Sequence, residues 1–189
     1  MKKIVIFASG SGSNFESIVK KLHHNTCEVA LLVCDKPDAY CLERANRLGI
    51  KTLQLTLKNF VSKVAYETEI IRHLKVVGPD LIVLAGYMKL IGETLLNEYE
   101  GKIINIHPSL LPAFPGKDGI GDALRYGVKV MGVTVHYVDA GVDTGKIIDQ
   151  ESFRRADDET DAQSKERIHT IEHALYPKVI EKLLQHSMS

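Results

Sequence analysis

Five short apolar runs, each followed by a stretch with helical periodicity except the last, dictate what this chain can fold into. The first is Lys3-Ile-Val-Ile-Phe-Ala8, a β-branched run that breaks at a Gly/Ser turn. Apolar residues at consecutive positions suit a strand buried on both faces. The spacing then predicts a helix capped by Ser13 or Asn14 and running to about Lys21, with Phe15, Ile18, Val19 and Leu22 on one face. Residues 28–34 predict a second strand, and 39–48 a helix stopped by Gly49. Residues 51–55 form the third strand. The helix over 63–77 turns Val64, Ile70, Ile71, Leu74 and Val77 inward and ends at Gly78-Pro79. A fourth strand over 81–85, a helix over 90–99 and a fifth strand over 102–106 complete the alternation.

Strands alternating with helices through short connections imply an α/β fold, a doubly wound, mostly parallel sheet covered on both faces. Ligands in that architecture sit outside the carboxyl ends of the strands. Past Ile106 the pattern changes. Pro108, Pro112, Pro115 and Gly116 exclude helix or central strand, so a loop is expected. A short helix over 121–126 follows. Strands over 132–138 and 146–153, joined by the loop 139–145, read as an antiparallel hairpin extending the sheet. Acidic residues 157–161 open a long final helix reaching about Gln185. With no internal repeat or linker, residues 1–189 are expected to form one domain.

Charge and cysteine usage narrow the partners. Lys and Arg number 24, Asp and Glu 24, and the zero net charge argues against a dedicated nucleic-acid or membrane-surface binder. The apolar run at the start is too short for a signal peptide, and no later run spans a bilayer, so a cytoplasmic location is expected. Cys27, Cys34 and Cys41 are odd in number and lack a C-x-x-C spacing, which reads as reduced, structural thiols.

Three constellations fall just after strands. Gly10-Ser-Gly-Ser-Asn14 links the first strand to the first helix. Its glycines let backbone N–H groups approach an anion at a helix N-terminus, so it is a phosphate cradle or else a plain turn. Phe15 stands where the dinucleotide fingerprint requires its third glycine, and no Gly-Lys-Ser/Thr follows. Asn105 and His107, two apart on an extended segment, face the same side. An amide N–H suits a developing oxyanion, and an imidazole carries a proton near neutral pH. Alternatively, His107 anchors the Pro-rich loop that follows. The loop Asp139-Ala-Gly-Val-Asp143-Thr-Gly145 is either a simple turn or a segment closing over the same edge, where an Asp near His107 would favour the imidazolium. A fourth pattern, His169-x-x-Glu172-His173, matches an inverted zinc motif, but only Glu181 and His186 offer themselves as a third ligand in the short remainder, and no metal is expected. A helix packing Ile168, Ile171, Leu175, Val179 and Leu183 inward accounts for it.

With these residues in place, the chain resembles the glycinamide ribonucleotide formyltransferase family, folate-dependent enzymes of purine synthesis. The matching segments are Ala8-Ser-Gly-Ser-Gly-Ser-Asn14, Leu84-Ala-Gly-Tyr-Met-Lys-Leu-Ile91, Asn105-Ile-His-Pro-Ser-Leu-Leu-Pro112, Gly132-Val-Thr-Val-His136, Asp139-Ala-Gly-Val-Asp-Thr-Gly145 and Glu172-His-Ala-Leu-Tyr-Pro177. They follow one another in the family's order over nearly the whole chain. The resemblance implies a Rossmann-like formyltransferase fold and a catalytic trio of Asn105, His107 and Asp143. It implies a ribonucleotide site at Gly12, Ser13, Asn14 and Glu172. It implies a folate site at Lys63, Met88, Lys89, Leu90, Ile91, Asp139, Ala140, Gly141, Val142 and Asp143. The co-substrate is then 10-formyltetrahydrofolate, with no metal. The partners are small molecules, and the protein is a monomer or weak homodimer. The Leu111–Pro112 bond is expected to be cis.

Lys63 and Lys89 stand where many members carry Arg, and lysine cannot make Arg's planar bidentate contact. Asp118 stands where some members have His, and the chain ends soon after the last helix. Related readings are a methionyl-tRNA formyltransferase, for whose added tRNA domain no residues remain, and a formyltetrahydrofolate hydrolase, which carries an added N-terminal domain. A non-catalytic nucleotide- or folate-binding module would need no intact trio.

Overall fold

The structure, a computed structural model, describes residues 1–186. The last three residues of the expected 1–189 domain lie outside them. Seven strands form one sheet in the order β3-β2-β1-β4-β5-β6-β7. These are β1 (Lys3–Ala8), β2 (Glu28–Cys34), β3 (Thr52–Gln54), β4 (Leu81–Leu84), β5 (Ile103–His107), β6 (Val130–Tyr137) and β7 (Ile147–Arg154). The first five are parallel, and β5–β6 and β6–β7 pair antiparallel. The helices are α1 (Ser13–Leu22), α2 (Tyr40–Leu48), α3 (Lys63–Val77), α4 (Glu93–Glu98), α5 (Gly119–Tyr126) and α6 (Asp161–His186).

Two-residue periodicity splits the core. Ile4, Ile6 and Ala8 of β1 join Phe15, Ile18, Cys41, Ala45, Tyr176 and Ile180 on the face covered by α1, α2 and α6. Val5 and Phe7 join Tyr66, Ile70, Leu74 and Leu95 on the face covered by α3 and α4. The same alternation sorts β5. Ile104 and Ile106 belong to the first core and Ile103 to the second. Asn105 and His107 therefore stand on the α3/α4 face, past the last apolar layer. On β6, Met131, Val133 and Val135 face the first core, which turns Thr134 and His136 to the side of Asn105 and His107.

The chain runs from β1 outward to β3, then crosses back to place β4 on the other flank of β1. The direction of winding reverses between β1 and β4, and in open α/β sheets the carboxyl ends at such a reversal are where a ligand crevice is expected.

Several element boundaries differ from the sequence reading, for identifiable reasons. The helix expected over 90–99 begins only at Glu93. Its start is fixed by a distant side chain. Buried Glu67 accepts the N–H groups of Gly92 at 2.7 Å and Leu95 at 3.2 Å, leaving Leu90 and Ile91 in the preceding loop. At α1 the cap is Gly12, with φ 76°, and neither Ser13 nor Asn14 caps the helix. The final helix starts at Asp161 because Thr160 and Gln163 form a reciprocal capping box, each side chain accepting the other's N–H. Val64 is 61% exposed, and Tyr66 takes its expected place in the core. Strand β3 is shorter at each end than expected, and β5 reaches His107.

Candidate active site

The loops after β1, β4 and β5 leave the same end of three adjacent parallel strands. The first is Gly10–Gly12. Gly12 adopts the left-handed conformation, and a Cβ there would stand 2.6 Å from Cys41 Cβ, so no other residue fits without moving α2. The loop is pinned from α2 on both sides: Cys41 N–H donates to the Gly10 carbonyl at 3.0 Å, and Arg44 Nε donates to that of Ser11 at 2.7 Å. Arg44 also pairs with Glu16. The first turn of α1 thus presents its N–H groups, which have no intrahelical acceptors, beside a clamped glycine loop.

Helix α6 lies alongside. Asn14 Nδ2 donates to Glu172 Oε2 at 2.8 Å, and His169 Nδ1 meets Glu172 Oε1 at 3.0 Å. The hydrogen bond to Glu172 outweighs desolvation and raises the His169 pKa above 6.5. Burial lowers that of His173. Glu172 is thus held by Asn14 and His169, whereas His173 Nε2 is buried without a hydrogen-bond partner, and among the described residues no three His, Cys, Asp or Glu side chains form a group suited to a metal ion. Asn14 Oδ1 is buried without a hydrogen-bond partner.

The second group lies at the end of β5. His107 Nε2 donates to the Phe114 carbonyl at 2.7 Å, and its Nδ1 stands 3.5 Å from Asp143 Oδ2. His107 thus does two things that sequence reading set as alternatives. It anchors the Pro-rich loop through one nitrogen and faces the crevice with the other. A Cβ on Gly119 would stand 2.8 Å from His107 Nε2, so the close approach of α5 to the ring requires glycine. Asp143, with φ 55°, accepts the Gly116 N–H at 2.8 Å, which ties the 139–145 loop to the Pro-rich loop. The loop therefore closes over the same strand edge, a point the spacing of residues left open.

His136 is the residue that sequence reading did not single out. It pairs across the antiparallel ladder with Asn105. Its Nδ1 lies 2.8 Å from the Tyr137 carbonyl, and in the tautomer that donates there Nε2 is an acceptor. That Nε2 is 3.4 Å from Asn105 Nδ2 and 3.7 Å from Asp143 Oδ1. One Asn105 N–H is oriented by His136 and the other is left for a ligand. Alternation along β6 placed His136 on this face, but only the register of β5 against β6 sets it opposite Asn105. The Leu111–Pro112 bond is cis. Thr134 Oγ1 accepts the Leu111 N–H and donates to the Ser109 carbonyl, holding that turn onto β6.

The third group follows β4. Met88 N–H donates to Ser9 Oγ at 2.8 Å, joining this segment to the end of β1. Met88 and Leu90 are exposed apolar side chains, as is Val142 on the 139–145 loop, and Ile91 packs on the core. Lys89 Nζ is 3.8 Å from Asp35 Oδ2, at the end of β2. Lys63, exposed, is the first residue of α3, and Tyr66 on that helix's first turn bonds to Tyr87 at 3.1 Å. Asp139 accepts from Thr144 Oγ1 at 2.6 Å and from the Gly141 N–H at 3.0 Å, which hold its carboxyl below the usual range. Ala140 and Gly141 are exposed at the tip.

Comparison with known proteins shows the family. The family model described as "Formyl transferase" matches residues 2–180. The chain is 53% identical over 186 residues to the phosphoribosylglycinamide formyltransferase of Bacillus subtilis (strain 168), covering 97% of this chain and 95% of that protein. It is 37% identical over 187 residues to the trifunctional purine biosynthetic protein adenosine-3 of Drosophila melanogaster, covering 97% of this chain and 14% of that one. Among solved structures, glycinamide ribonucleotide transformylase 1 from Geobacillus kaustophilus superposes with a TM-score of 0.93 at 54% identity, covering 97% of this chain and 99% of the other.

Proposed function

The chain belongs to the formyl transferase family, and from that premise we propose that it transfers the formyl group of 10-formyltetrahydrofolate to the amine of glycinamide ribonucleotide, giving formylglycinamide ribonucleotide and tetrahydrofolate. One observation carries the chemistry: Asn105, His107 and Asp143 meet at a strand edge, with His107 Nδ1 3.5 Å from the Asp143 carboxylate. The phosphate would sit on the N–H groups of the Gly12-Ser13-Asn14 turn, where a helix N-terminus favours an anion. Glu172, held by Asn14 and His169, lies beside it to accept from ribose hydroxyls. The folate would lie along Met88–Ile91 and Asp139–Asp143, whose exposed Met88, Leu90 and Val142 offer apolar surface to a flat ring. Lys63 and Lys89 supply positive charge for its carboxylates.

The substrate amine attacks, uncharged, the formyl carbon on N10. The carbonyl oxygen becomes an oxyanion. Asn105 donates the N–H that His136 does not take, and His107 donates from Nδ1, since Nε2 is committed to the Phe114 carbonyl. Asp143 orients His107 and balances its charge. A proton leaves the attacking nitrogen and reaches N10, through water or His107, before tetrahydrofolate departs. The scheme requires neither a metal nor a covalent enzyme intermediate.

The decisive experiment supplies 10-formyltetrahydrofolate with and without glycinamide ribonucleotide. Tetrahydrofolate released only with the ribonucleotide is the expected result. Release regardless of it would make the protein a hydrolase, and binding without release would make it a non-catalytic module.

A further inference from the structure

We propose that Cys34 and Cys41 form a reversible oxidation site whose disulfide loosens the phosphate loop. The effect on the loop rests on the ribonucleotide reading above, whereas formation of the bond does not. Cys34 ends β2 and Cys41 is the second residue of α2. Both thiols are free and fully buried, with sulfurs 3.6 Å apart. A disulfide needs about 2.05 Å, so the sulfurs must close by roughly 1.5 Å.

The two thiols are unequal. Cys41 donates its S–H to Cys34, which draws the Cys34 thiol down to about 7 and pushes that of Cys41 up. A readily ionised thiol in contact with a resolving thiol is the arrangement that oxidises selectively. Burial is not a lasting barrier here. The first turn of α2 has Ala39 at its cap position with no side-chain hydrogen bond, and Tyr40 is exposed. A first turn without a side-chain cap is a place where local opening can begin, and that opening is the route by which a small oxidant would reach the sulfurs.

The oxidant class is a hydroperoxide. Cys34 thiolate attacks one peroxide oxygen and breaks the O–O bond. With hydrogen peroxide, the hydroxide released takes the thiol's proton and leaves as water, and Cys34 becomes a sulfenic acid. Cys41 sulfur then displaces that hydroxyl as a second water and the S–S bond forms. Two thiols lose two electrons and two protons, and one peroxide becomes two waters. A dithiol reverses the step by exchange.

The consequence follows from how α2 touches the loop. The Cys41 N–H holds the Gly10 carbonyl, and Cys41 Cα and Cβ lie 2.9 and 2.6 Å from where a Gly12 Cβ would be. No slack separates this turn from the loop, so drawing Cys41 toward Cys34 shifts Gly10–Gly12. Asn105, His107 and Asp143 stand on other elements. The ribonucleotide KM should therefore rise with little change in kcat. The expected rise is about fivefold or more, the lower end of usual site-to-site coupling.

The test treats the full-length protein with hydrogen peroxide and maps its thiols by mass spectrometry. Kinetics are measured before and after treatment, and again after dithiothreitol. A loss of two hydrogens in a peptide pair joining Cys34 to Cys41, with a dithiothreitol-reversible rise in ribonucleotide KM, is expected. Cys34→Ser should abolish both changes, while Cys27→Ser should keep them, because Cys27 lies at the opposite end of β2 with its thiol pushed up to about 11 by burial. Three free thiols after treatment, or a bridge involving Cys27, would overturn the site. A Cys34–Cys41 bridge with unchanged KM would overturn the coupling. A reduced protein with no formyl transfer would sink the proposed function and leave the thiol result standing.

Discussion

At the scale of single residues, the site depends on which nitrogen faces where. His107 spends Nε2 on the Phe114 carbonyl, so its Nδ1 is the atom that faces Asp143 and, in the proposed reaction, donates to the carbonyl oxygen. Removing one oxyanion donor typically lowers kcat about a hundredfold to a thousandfold. Asn105→Ala should lose that much, and His107→Ala as much or more, in steady-state formyl transfer. Near-wild-type turnover in either variant would refute the assigned roles. In the proposed scheme His136 acts through Asn105, whose amide it meets at 3.4 Å. Loss of one orienting hydrogen bond is worth about 1 kcal/mol, or roughly fivefold. His136→Ala should therefore lower kcat by about that factor with the ribonucleotide KM nearly unchanged. A KM effect with normal kcat would assign His136 to binding instead.

Elements are held by side chains far from them in sequence. Helix α4 starts where it does because Glu67, on α3, accepts the N–H groups of Gly92 and Leu95. Glu67→Ala leaves both groups without that acceptor and should destabilise the fold by about 3 kcal/mol, read as a lower urea midpoint. An unchanged midpoint would mean that the carboxylate is not the cap. Helices α1 and α6 are joined through Asn14, Glu172 and His169. The His169 pKa is raised in the fold, so its protonated form contributes stability in full below its ordinary 6.5 and loses it as pH climbs through the raised value. His169 is half-exposed, so screening limits this to about 1 kcal/mol at most. The lowered His173 pKa works in the opposite direction; burial, its largest cause, is common to wild type and His169→Gln and cancels in the difference, whereas the smaller share due to the His169 charge does not. Wild type should exceed His169→Gln in urea stability at about pH 5.5 and match it near pH 8.5. A difference independent of pH would show that packing, not charge, joins the helices.

For the molecule as a whole, the reversal of winding between β1 and β4 decides where anything can bind. Tyr176 on α6 ties together β4 and β5, on one flank of that reversal. Its hydroxyl, fully buried, donates to the Leu84 carbonyl at 2.7 Å and lies 3.3 Å from that of Ile104, linking the last helix to β4 and β5. Tyr176→Phe should lose about 1 kcal/mol, which lowers Tm by about 2–4 °C for a chain of this size, measurable by calorimetry. An unchanged Tm would mean that the two carbonyls are satisfied without it.

Local pattern determined most of the architecture. The bounds of β1 and β2 were legible as runs of consecutive apolar residues, and those of α3 as a helical period stopped by Gly78-Pro79. Residues 105 and 107 shared a face by the alternation of a strand alone. What local pattern could not supply were contacts between segments distant in the chain: the Glu67 cap, the register that sets His136 opposite Asn105, and the closure of Asp143 onto His107. Periodicity is a property of neighbouring residues and reports which way a side chain points. Which groups then meet depends on strand order and register, and these arise only when the whole chain packs.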